Sequence, residues 1–303
     1  MPYKRIPIIC GPTASGKSSL ALSVCRDCGG ELVSLDSMQI YTEMNIGTAK
    51  PSVEEMREIP HHLVDFLPPG EEYNVSLFKA AAIATIEDIL SRGKLPVLCG
   101  GTGQYVQALT LGIQYAEMEN SPEVRTRIEE EIRTDGAEAV HDRLILIDSE
   151  SAARIHPNNT KRLVRALEIY EITGITMSEH NRRSLSEGPS YPFTVFLIDR
   201  PREELYDRIN RRVDLMMQEG LLEEVLRLKQ KGLAEFPTSG QAIGYKELFS
   251  YLDGQSSLED AVECIKRRTR NYAKRQITWF SRIPEVEMVK PADFREILSK
   301  ILL

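Results

Sequence analysis

The fold of this chain is decided by residues 6–18, which read IPIICGPTASGKS. The apolar run at residues 6–10 is typical of a buried β-strand, and the residues after it match the phosphate-loop pattern G-x-x-x-x-G-K-[S/T]. The pattern comprises Gly11, Pro12, Thr13, Ala14, Ser15, Gly16, Lys17 and Ser18. A helix that starts here directs backbone N–H groups and its positive dipole end at an anion. We therefore predict a di- or triphosphate site, in which Lys17 supplies positive charge and the Ser18 hydroxyl binds Mg²⁺.

The rest of the chain predicts an α/β core interrupted by a helical insertion. Apolar runs predict further strands at residues 31–35, 95–99, 193–198 and 286–289, with helical patterns between them. Such alternation favours a P-loop NTPase-like parallel sheet flanked by helices. Only helical patterns occur between residues 115 and 191. We therefore expect residues 1–114 and 192–303 to form the core, and residues 115–191 to form a small all-helical domain.

Composition restricts the class of protein. The chain has 303 residues, of which 42% are hydrophobic and 27% charged, so a globular protein is expected. Its net charge of −7 argues against a protein that coats nucleic acid through bulk positive charge. No apolar run approaches the roughly 18 residues of a membrane span. The five scattered cysteines suit a reducing compartment. We expect a cytoplasmic protein without membrane association.

Asp36 follows the second predicted strand directly. The carboxyl ends of parallel strands meet at one edge of the sheet, and open α/β sheets bind their ligands there. Asp36 is therefore a candidate for a reacting or metal-binding carboxylate beside the phosphate loop. The alternative is a residue that only caps a turn or a helix.

Several further motifs, in order along the chain, resemble those of the tRNA dimethylallyltransferases, also called tRNA isopentenyltransferases, of bacterial type. Together with the phosphate loop, they extend over roughly residues 6–283. The motifs are residues 36–41 (DSMQIY), 45–51 (NIGTAKP), 60–65 (PHHLVD), 100–105 (GGTGQY), 155–158 (IHPN), 161–168 (KRLVRALE), 240–246 (GQAIGYK) and 274–280 (KRQITWF).

The resemblance implies transfer of the dimethylallyl group from dimethylallyl diphosphate to the exocyclic amine of the adenosine 3′ of a tRNA anticodon. Diphosphate would leave from the phosphate loop, with Mg²⁺ as cofactor. Asp36 would accept a proton from the adenine amine, and Thr102 would contact the reacting region beside it. Arg212 would face the diphosphate, although Arg208 lies one helical turn away and a solvated ion-pair face is the alternative for both.

Positive charge is concentrated near the C-terminus, where a helix with a capping box at Ser256 and Glu259 is expected. Seven basic residues and no acidic residue occur between Cys264 and Arg282. Arg267, Arg270 and Lys274 fall on one helical face, which favours contact with RNA phosphates over a merely solvated surface. We expect Tyr272 and Trp279 on the opposite side, in the core.

An adenosine in a stacked anticodon loop must be flipped out to react, and residues 36–39 are placed to receive it. The resemblance adds the insertion and two C-terminal motifs to the RNA contacts. The full set of expected RNA-binding residues is Asp36, Ser37, Met38, Gln39, Thr102, Arg125, Lys161, Arg162, Leu163, Val164, Arg165, Gln241, Lys246, Lys274, Arg275 and Gln276.

Other functions remain open at this point. A related enzyme could use AMP, ADP or ATP as the acceptor, although a mononucleotide needs neither the insertion nor the basic helix. A small-molecule kinase would share the phosphate loop but needs an adenine site and lid arginines. An RNA-binding module without turnover would leave Asp36 unexplained. We expect a monomer that binds tRNA and dimethylallyl diphosphate.

Overall fold

The computed structural model describes residues 5–114, 121–184, 188–283, 285–292 and 294–302. Two compact units are present, and each is described by itself. One unit consists of Met1–Thr110 and Ser190–Leu303, and the other is Leu111–Pro189.

A six-stranded parallel sheet forms the centre of the first unit, as the alternating pattern predicted. Its strands are β1 (Ile6–Cys10), β2 (Glu31–Ser34), β3 (His61–His62), β4 (Pro96–Gly100), β5 (Phe193–Ile198) and β6 (Glu287–Val289). Their order is β3-β2-β4-β1-β5-β6, which places the strand before the phosphate loop inside the sheet. All strands are parallel, so the loops after β1, β2, β4 and β5 emerge at the same edge.

Helices cover the sheet and form a second core beside it. Those of the first unit are α1 (Lys17–Cys28), α2 (Val53–Glu58), α3 (Val75–Ser91), α4 (Gly103–Thr110), α10 (Arg202–Gln218), α11 (Leu221–Gln230), α12 (Tyr245–Leu252), α13 (Leu258–Phe280) and α14 (Phe294–Leu302). Alternate residues of β1 serve opposite faces of the sheet: Ile8 packs in one buried cluster with Phe78 of α3, and Ile9 in another with Leu20 of α1. A separate cluster joins α10–α13 to residues 38–46.

Helices alone make up the described part of the second unit. They are α5 (Pro122–Asp135), α6 (Ala137–Ile147), α7 (Ser149–Ala152), α8 (Thr160–Thr173) and α9 (Met177–Ser184). Ile128, Leu144, Leu163 and Leu167 meet in its core and are fully buried. The helical periodicity of this segment therefore reflects a small hydrophobic core of its own.

Several local predictions need correction. The hydroxyl that caps α13 belongs to Ser257, which accepts from the Asp260 N–H at 3.1 Å, not to Ser256. The sequence analysis gave no sign of β3, because two histidines do not form an apolar run. It also overlooked the short helices α2, α4 and α9. None of the helices in the described residues is long and apolar enough to span a membrane.

Candidate functional site

A cavity of about 450 Å³ opens at the edge of the sheet where the strands end. Lys17, Arg212 and Arg275 line it together with Asp36, which is its only carboxylate among the described residues. The cavity therefore combines a cationic wall with a single acid. The sequence analysis singled out all four side chains but assigned Arg275 to the RNA surface.

Local geometry of the phosphate loop follows from its glycines. Gly16 adopts a φ of 97°, a left-handed conformation that favours glycine, and caps α1 without a side chain. The turn brings the Lys17 ammonium within 3.3 Å of the Pro12 carbonyl oxygen, to which it donates. Burial lowers the pKa of Lys17, and the nearby Arg212 lowers it further. An anion in the cavity would relieve both effects.

Three arginines hold consecutive residues of the phosphate loop. The Nε of Arg200, just after β5, donates to the Ser15 carbonyl oxygen at 3.0 Å. On α10, Arg208 Nε donates to the Ala14 carbonyl oxygen at 2.8 Å. Arg212, on the same helix, donates to the Thr13 hydroxyl oxygen at 3.3 Å.

The two arginines of α10 differ in their position relative to the cavity. Arg212 lines the cavity. Arg208 is exposed and bonds to a backbone carbonyl oxygen of the phosphate loop. Burial lowers the pKa of Arg212, partly offset by the negative charge of Asp36. The alternative of a solvated ion-pair face is wrong in part: Arg208 is exposed, but both guanidinium groups bond to the phosphate loop.

Asp36 forms a tight turn and also faces the cavity. Its Oδ1 accepts from the N–H groups of Met38 at 2.8 Å and Gln39 at 3.3 Å. One carboxylate oxygen therefore stabilises a turn, as the alternative interpretation of Asp36 predicted. The carboxylate nevertheless lines the cavity. One side chain can therefore both fix the turn and accept a proton, because its second oxygen is not needed for the turn.

Thr102 lies behind this turn. Its hydroxyl oxygen accepts from the Ser37 N–H at 3.0 Å and donates to the Ser37 hydroxyl at 3.3 Å. Within the described structure, Ser37 lines the cavity and Thr102 does not. Thr102 thus contacts the loop that carries Asp36, and its contact with the reacting atoms stays a prediction.

The oxygen atoms in the cavity fit a magnesium ion. Ser18 presents a hydroxyl there, and Asp36 a carboxylate. Mg²⁺ is commonly held by one or two protein oxygens, with substrate phosphates and water completing its shell. No cluster of three or more His, Cys, Asp or Glu side chains that could bind a metal occurs in the described residues. Such a site would therefore depend on the phosphate ligand.

Cys99, at the end of β4, lies beside Lys17 and Ser18. Burial raises the pKa of its thiol to about 11, against the opposing effect of Lys17. The thiol therefore stays neutral near pH 7. It does not cancel the charge of the lysine.

α13 contributes both to the cavity and to the phosphate loop. The Arg275 guanidinium lies 5.6 Å from the ring centroid of Tyr272, and both residues line the cavity. Tyr272 was expected in the core, so that prediction is wrong in part. Gln276 is buried, and its amide bonds to the Thr13 N–H and the Gly101 carbonyl oxygen, each at 2.9 Å. We therefore reassign this side chain from RNA to the phosphate loop.

The basic surface of α13 is smaller than the sequence indicated. Lys266 pairs with Asp214 at 2.8 Å, and Arg268 pairs with Glu247 at 3.0 Å. Arg270 donates to the Asn210 side chain at 2.5 Å. Other helices thus supply the acids that the helix itself lacks between Cys264 and Arg282. In the part of the chain that the structure describes, Arg267, Lys274, Arg275 and Arg282 have no carboxylate partner.

Two of the expected RNA contacts in the insertion are wrong as side-chain contacts. Leu163 and Val164 are 0% and 2% exposed and belong to the core of that unit. Lys161 and Arg162, on the first turn of α8, are exposed. Arg165 pairs with Glu168 at 2.8 Å, and Arg125 lies 4.0 Å from the same carboxylate. The basic side chains of α8 that are exposed therefore lie on its first turn.

Gln241 and Lys246 come from a segment that is distant from the phosphate loop in the sequence. Both are exposed, and the Lys246 ammonium donates to the Gln241 side-chain oxygen at 2.7 Å. Gln241 lines the cavity, as do Met38 and Gln39.

Sequence reasoning missed Arg200 and His61. Arg200 follows the carboxyl end of β5, so the rule that selected Asp36 after β2 applies to it as well. His61 lines the cavity, and its Nδ1 lies 2.7 Å from the Ile59 carbonyl oxygen. Burial lowers the pKa of His61. The histidine pair belongs to the motif at residues 60–65, but its sequence alone does not indicate that His61 lines a cavity.

Comparison with known proteins places these features in one family. The family model described as IPP transferase matches residues 39–283, and the model described as isopentenyl transferase matches residues 4–65. A tRNA dimethylallyltransferase of Acetivibrio thermocellus is 45% identical over 290 residues, which are 96% of this chain and 93% of that protein.

Solved structures agree. The full-length tRNA isopentenylpyrophosphate transferase of Bacillus halodurans is 39% identical, with a TM-score of 0.70 over 98% of this chain and 95% of its own. A eukaryotic dimethylallyltransferase described as acting on tRNA has a TM-score of 0.82 at 30% identity, covering 97% of this chain and 75% of that one. The chain thus belongs to the IPP transferase family of tRNA dimethylallyltransferases, and it is a transferase.

Proposed function

We propose that this protein transfers the dimethylallyl group from dimethylallyl diphosphate to the N6 amine of the adenosine 3′-adjacent to a tRNA anticodon. The observation that carries this proposal is the cavity in which Lys17, Arg212 and Arg275 face a single carboxylate, Asp36. The reaction needs positive charge where diphosphate leaves and one base where the amine attacks. Similarity to transferases named for tRNA supports the choice of acceptor.

The phosphate loop would bind the leaving diphosphate. Lys17, Arg212 and the amides at the start of α1 stabilise the negative charge that develops on the leaving oxygen. Ser18 would hold Mg²⁺, which supplies further positive charge beside the diphosphate when bound. Because burial disfavours the charged forms of Lys17 and Arg212, binding of an anion is favourable at this position.

Asp36 would accept the proton of the adenine amine. The N6 nitrogen attacks the allylic carbon, the bond from that carbon to the diphosphate oxygen breaks, and diphosphate leaves with the electron pair. The N6 proton goes to the carboxylate of Asp36, which orients the weak nucleophile as it does so. Thr102 acts through Ser37 to keep this turn in place.

RNA would be held by phosphate contacts that set its register. Ser37, Met38, Gln39 and Gln241 face the cavity, where the flipped adenosine is expected. Exposed cations on α13 and on the first turn of α8 would bind the backbone of the anticodon stem-loop. These cations are Lys274, Arg275, Lys161 and Arg162, and we expect Lys246, Arg125 and Arg165 to contribute as well. We place the protein in the cytoplasm, where its substrate is made, and expect a monomer.

One incubation tests the proposal. The protein is mixed with Mg²⁺ and radiolabelled dimethylallyl diphosphate, and separate samples receive unmodified tRNA, AMP or no acceptor. We expect label only in tRNA, at the adenosine next to the anticodon. Label in AMP but not in tRNA would identify an adenylate dimethylallyltransferase instead. Omission of Mg²⁺ with added EDTA should remove the activity.

A further inference from the structure

One buried carboxylate, Glu224 of α11, holds a loop that lines the cavity. Its Oε2 accepts from the N–H groups of Asn45 at 3.0 Å and Ile46 at 2.9 Å. Its Oε1 accepts from the Gly47 N–H at 3.0 Å and from the Tyr245 hydroxyl at 2.6 Å. Four donors thus converge on one side chain that is 4% exposed.

No cation pairs with Glu224 within the described residues. Burial of an unpaired carboxylate is costly unless hydrogen bonds satisfy it, and here backbone N–H groups do so. Burial, together with the neighbouring Glu224, raises the pKa of Tyr245. The phenol therefore stays protonated and remains a donor. All four partners donate, so the arrangement suits a side chain whose two oxygens both accept hydrogen bonds.

The loop that Glu224 holds continues to the side chain of Gln39. Gly47, Thr48 and Ala49 line the cavity, and Gln39 Nε2 donates to the carbonyl oxygens of Ala49 at 2.9 Å and Thr48 at 3.3 Å. The Gln39 N–H in turn donates to Asp36 Oδ1. Hydrogen bonds, joined by the backbone of residues 47–49 and by Gln39 itself, therefore connect Glu224 to the turn of Asp36.

Gly47 is required for this packing. A Cβ atom at this position would lie 2.4 Å from the Tyr245 ring. A side chain at residue 47 would therefore displace the loop or the Tyr245 ring, and the carboxylate of Glu224 bonds to both of them. The motif at residues 45–51 thus has a physical role that the sequence analysis left unassigned.

We propose that Glu224 is a positioning residue, which fixes the loop at residues 45–49 so that Gln39 and Asp36 meet the acceptor adenosine in the reactive orientation. The inference rests on the proposed function. It predicts loss of transfer without loss of the phosphate site, because the hydrogen bonds of Glu224 in the described structure go to residues 45–47 and 245 and not to residues 11–18.

The test uses Glu224→Gln, with Glu223→Gln as the matched control. Glu223 is exposed on the same helix. In Glu224→Gln, the side-chain NH₂ group would face donors that now bond to a carboxylate oxygen, so those hydrogen bonds would be lost. We therefore expect kcat/KM for tRNA to fall at least about tenfold. Affinity for inorganic diphosphate with Mg²⁺ should stay within about twofold, and hydrogen exchange of the amides at residues 45–47 should accelerate. Glu223→Gln should match the wild type in all three measurements.

A double-mutant cycle with Gln39→Ala separates positioning from a general loss of stability. If Glu224 acts through Gln39, the double variant should transfer no more slowly than the slower single variant. Multiplied effects, or a Glu224→Gln protein with wild-type kcat/KM, would overturn the proposal. All variants are assayed at a temperature where circular dichroism shows them folded. Failure of the wild type itself to modify tRNA would count against the proposed function, and the hydrogen exchange comparison would still test whether Glu224 holds the loop.

Discussion

The Gln276 side-chain oxygen accepts a hydrogen bond from the Thr13 N–H at 2.9 Å. The amide nitrogen of Gln276 donates to the Gly101 carbonyl oxygen at the same distance. A single buried side chain thereby joins α13, the phosphate loop and the loop after β4. The helix that carries the candidate RNA-binding cations also fixes the candidate diphosphate site.

Replacement of Gln276 by methionine should loosen the phosphate loop. The Thr13 N–H and the Gly101 carbonyl would both lose their partner. For the buried Gly101 carbonyl this costs about 1–3 kcal/mol, and for the partly buried Thr13 N–H less. We expect the affinity for inorganic diphosphate to fall roughly tenfold in a calorimetric titration, together with a lower unfolding temperature. Ile277→Ala, at an exposed position on the same helix, is the control. Unchanged diphosphate affinity in Gln276→Met would contradict this role.

Asp36→Asn should remove the base and keep the turn. An asparagine Oδ1 can still accept from the N–H groups of Met38 and Gln39, whereas its amide cannot take up a proton. We expect transfer to tRNA to fall by at least about 10²-fold, with tRNA affinity nearly unchanged in a filter-binding assay. Asp36→Ala should lose both functions and bind tRNA more weakly. Substantial transfer by Asp36→Asn would show that another group accepts the proton.

Diphosphate binding should weaken at alkaline pH earlier than an ordinary lysine would allow. Burial lowers the pKa of Lys17, so the ammonium loses its proton below the usual value of about 10.4. Binding needs the protonated form and is therefore lost as pH rises through the lowered pKa. Lys17→Arg stays charged and should show a flatter profile between about pH 8 and 10. Because both proteins bind the same diphosphate, its own ionisation cancels in the comparison.

Neutralising Arg267 and Lys274 together should weaken tRNA binding and reduce its salt dependence. Each phosphate contact that is lost should lower the slope of log K against log salt by roughly 0.7–0.9. Arg57→Gln, which removes an exposed charge on α2, serves as the control. If the double variant keeps the wild-type slope, these cations do not contact RNA. Arg270 is left intact because it bonds to Asn210.

Glu31 should contribute to acid-sensitive stability at the opposite edge of the sheet. Its buried carboxylate contacts Arg92 at 2.5 Å, Lys94 at 2.7 Å and His62 at 2.7 Å. Hydrogen bonds, foremost from Arg92, lower the pKa of Glu31. The stabilisation is therefore present above the unfolded pKa of about 4.3 and declines as pH falls below it.

Glu31→Gln should lower the midpoint of thermal unfolding at pH 7 by about 5 °C. The difference from the wild type should shrink in acid. Glu58→Gln removes an exposed partner of Arg26 and should change the midpoint little, because solvent screens that pair. A constant difference between Glu31→Gln and the wild type from pH 7 to acid would show that ionisation of Glu31 is not its cause.

Local signals predicted much of the fold. The apolar run before the glycine-rich loop predicted β1, and the structure confirms the strand at Ile6–Cys10 and the helix at Lys17–Cys28. Gly29 adopts a φ of 62° at the C-terminal cap of that helix, a conformation that favours glycine. These features depend on neighbouring residues only. The edge strand β3 was not predicted. It is a strand because it pairs with β2, and its own composition does not indicate one.

The phosphate loop, the parallel α/β core and the family resemblance follow from the order of residues along the chain alone. The tertiary structure decided which side chains share the cavity, since residues as distant along the chain as Lys17, Arg212 and Arg275 meet only after folding. It also determined the partners of individual charged and amide side chains. Lys266 and Arg268 pair with acids on other helices. Gln276 bonds to the phosphate loop, and Glu224 bonds to residues 45–47. Periodicity indicates which face of a helix is buried, but the partner that meets each side chain is set by packing between distant segments.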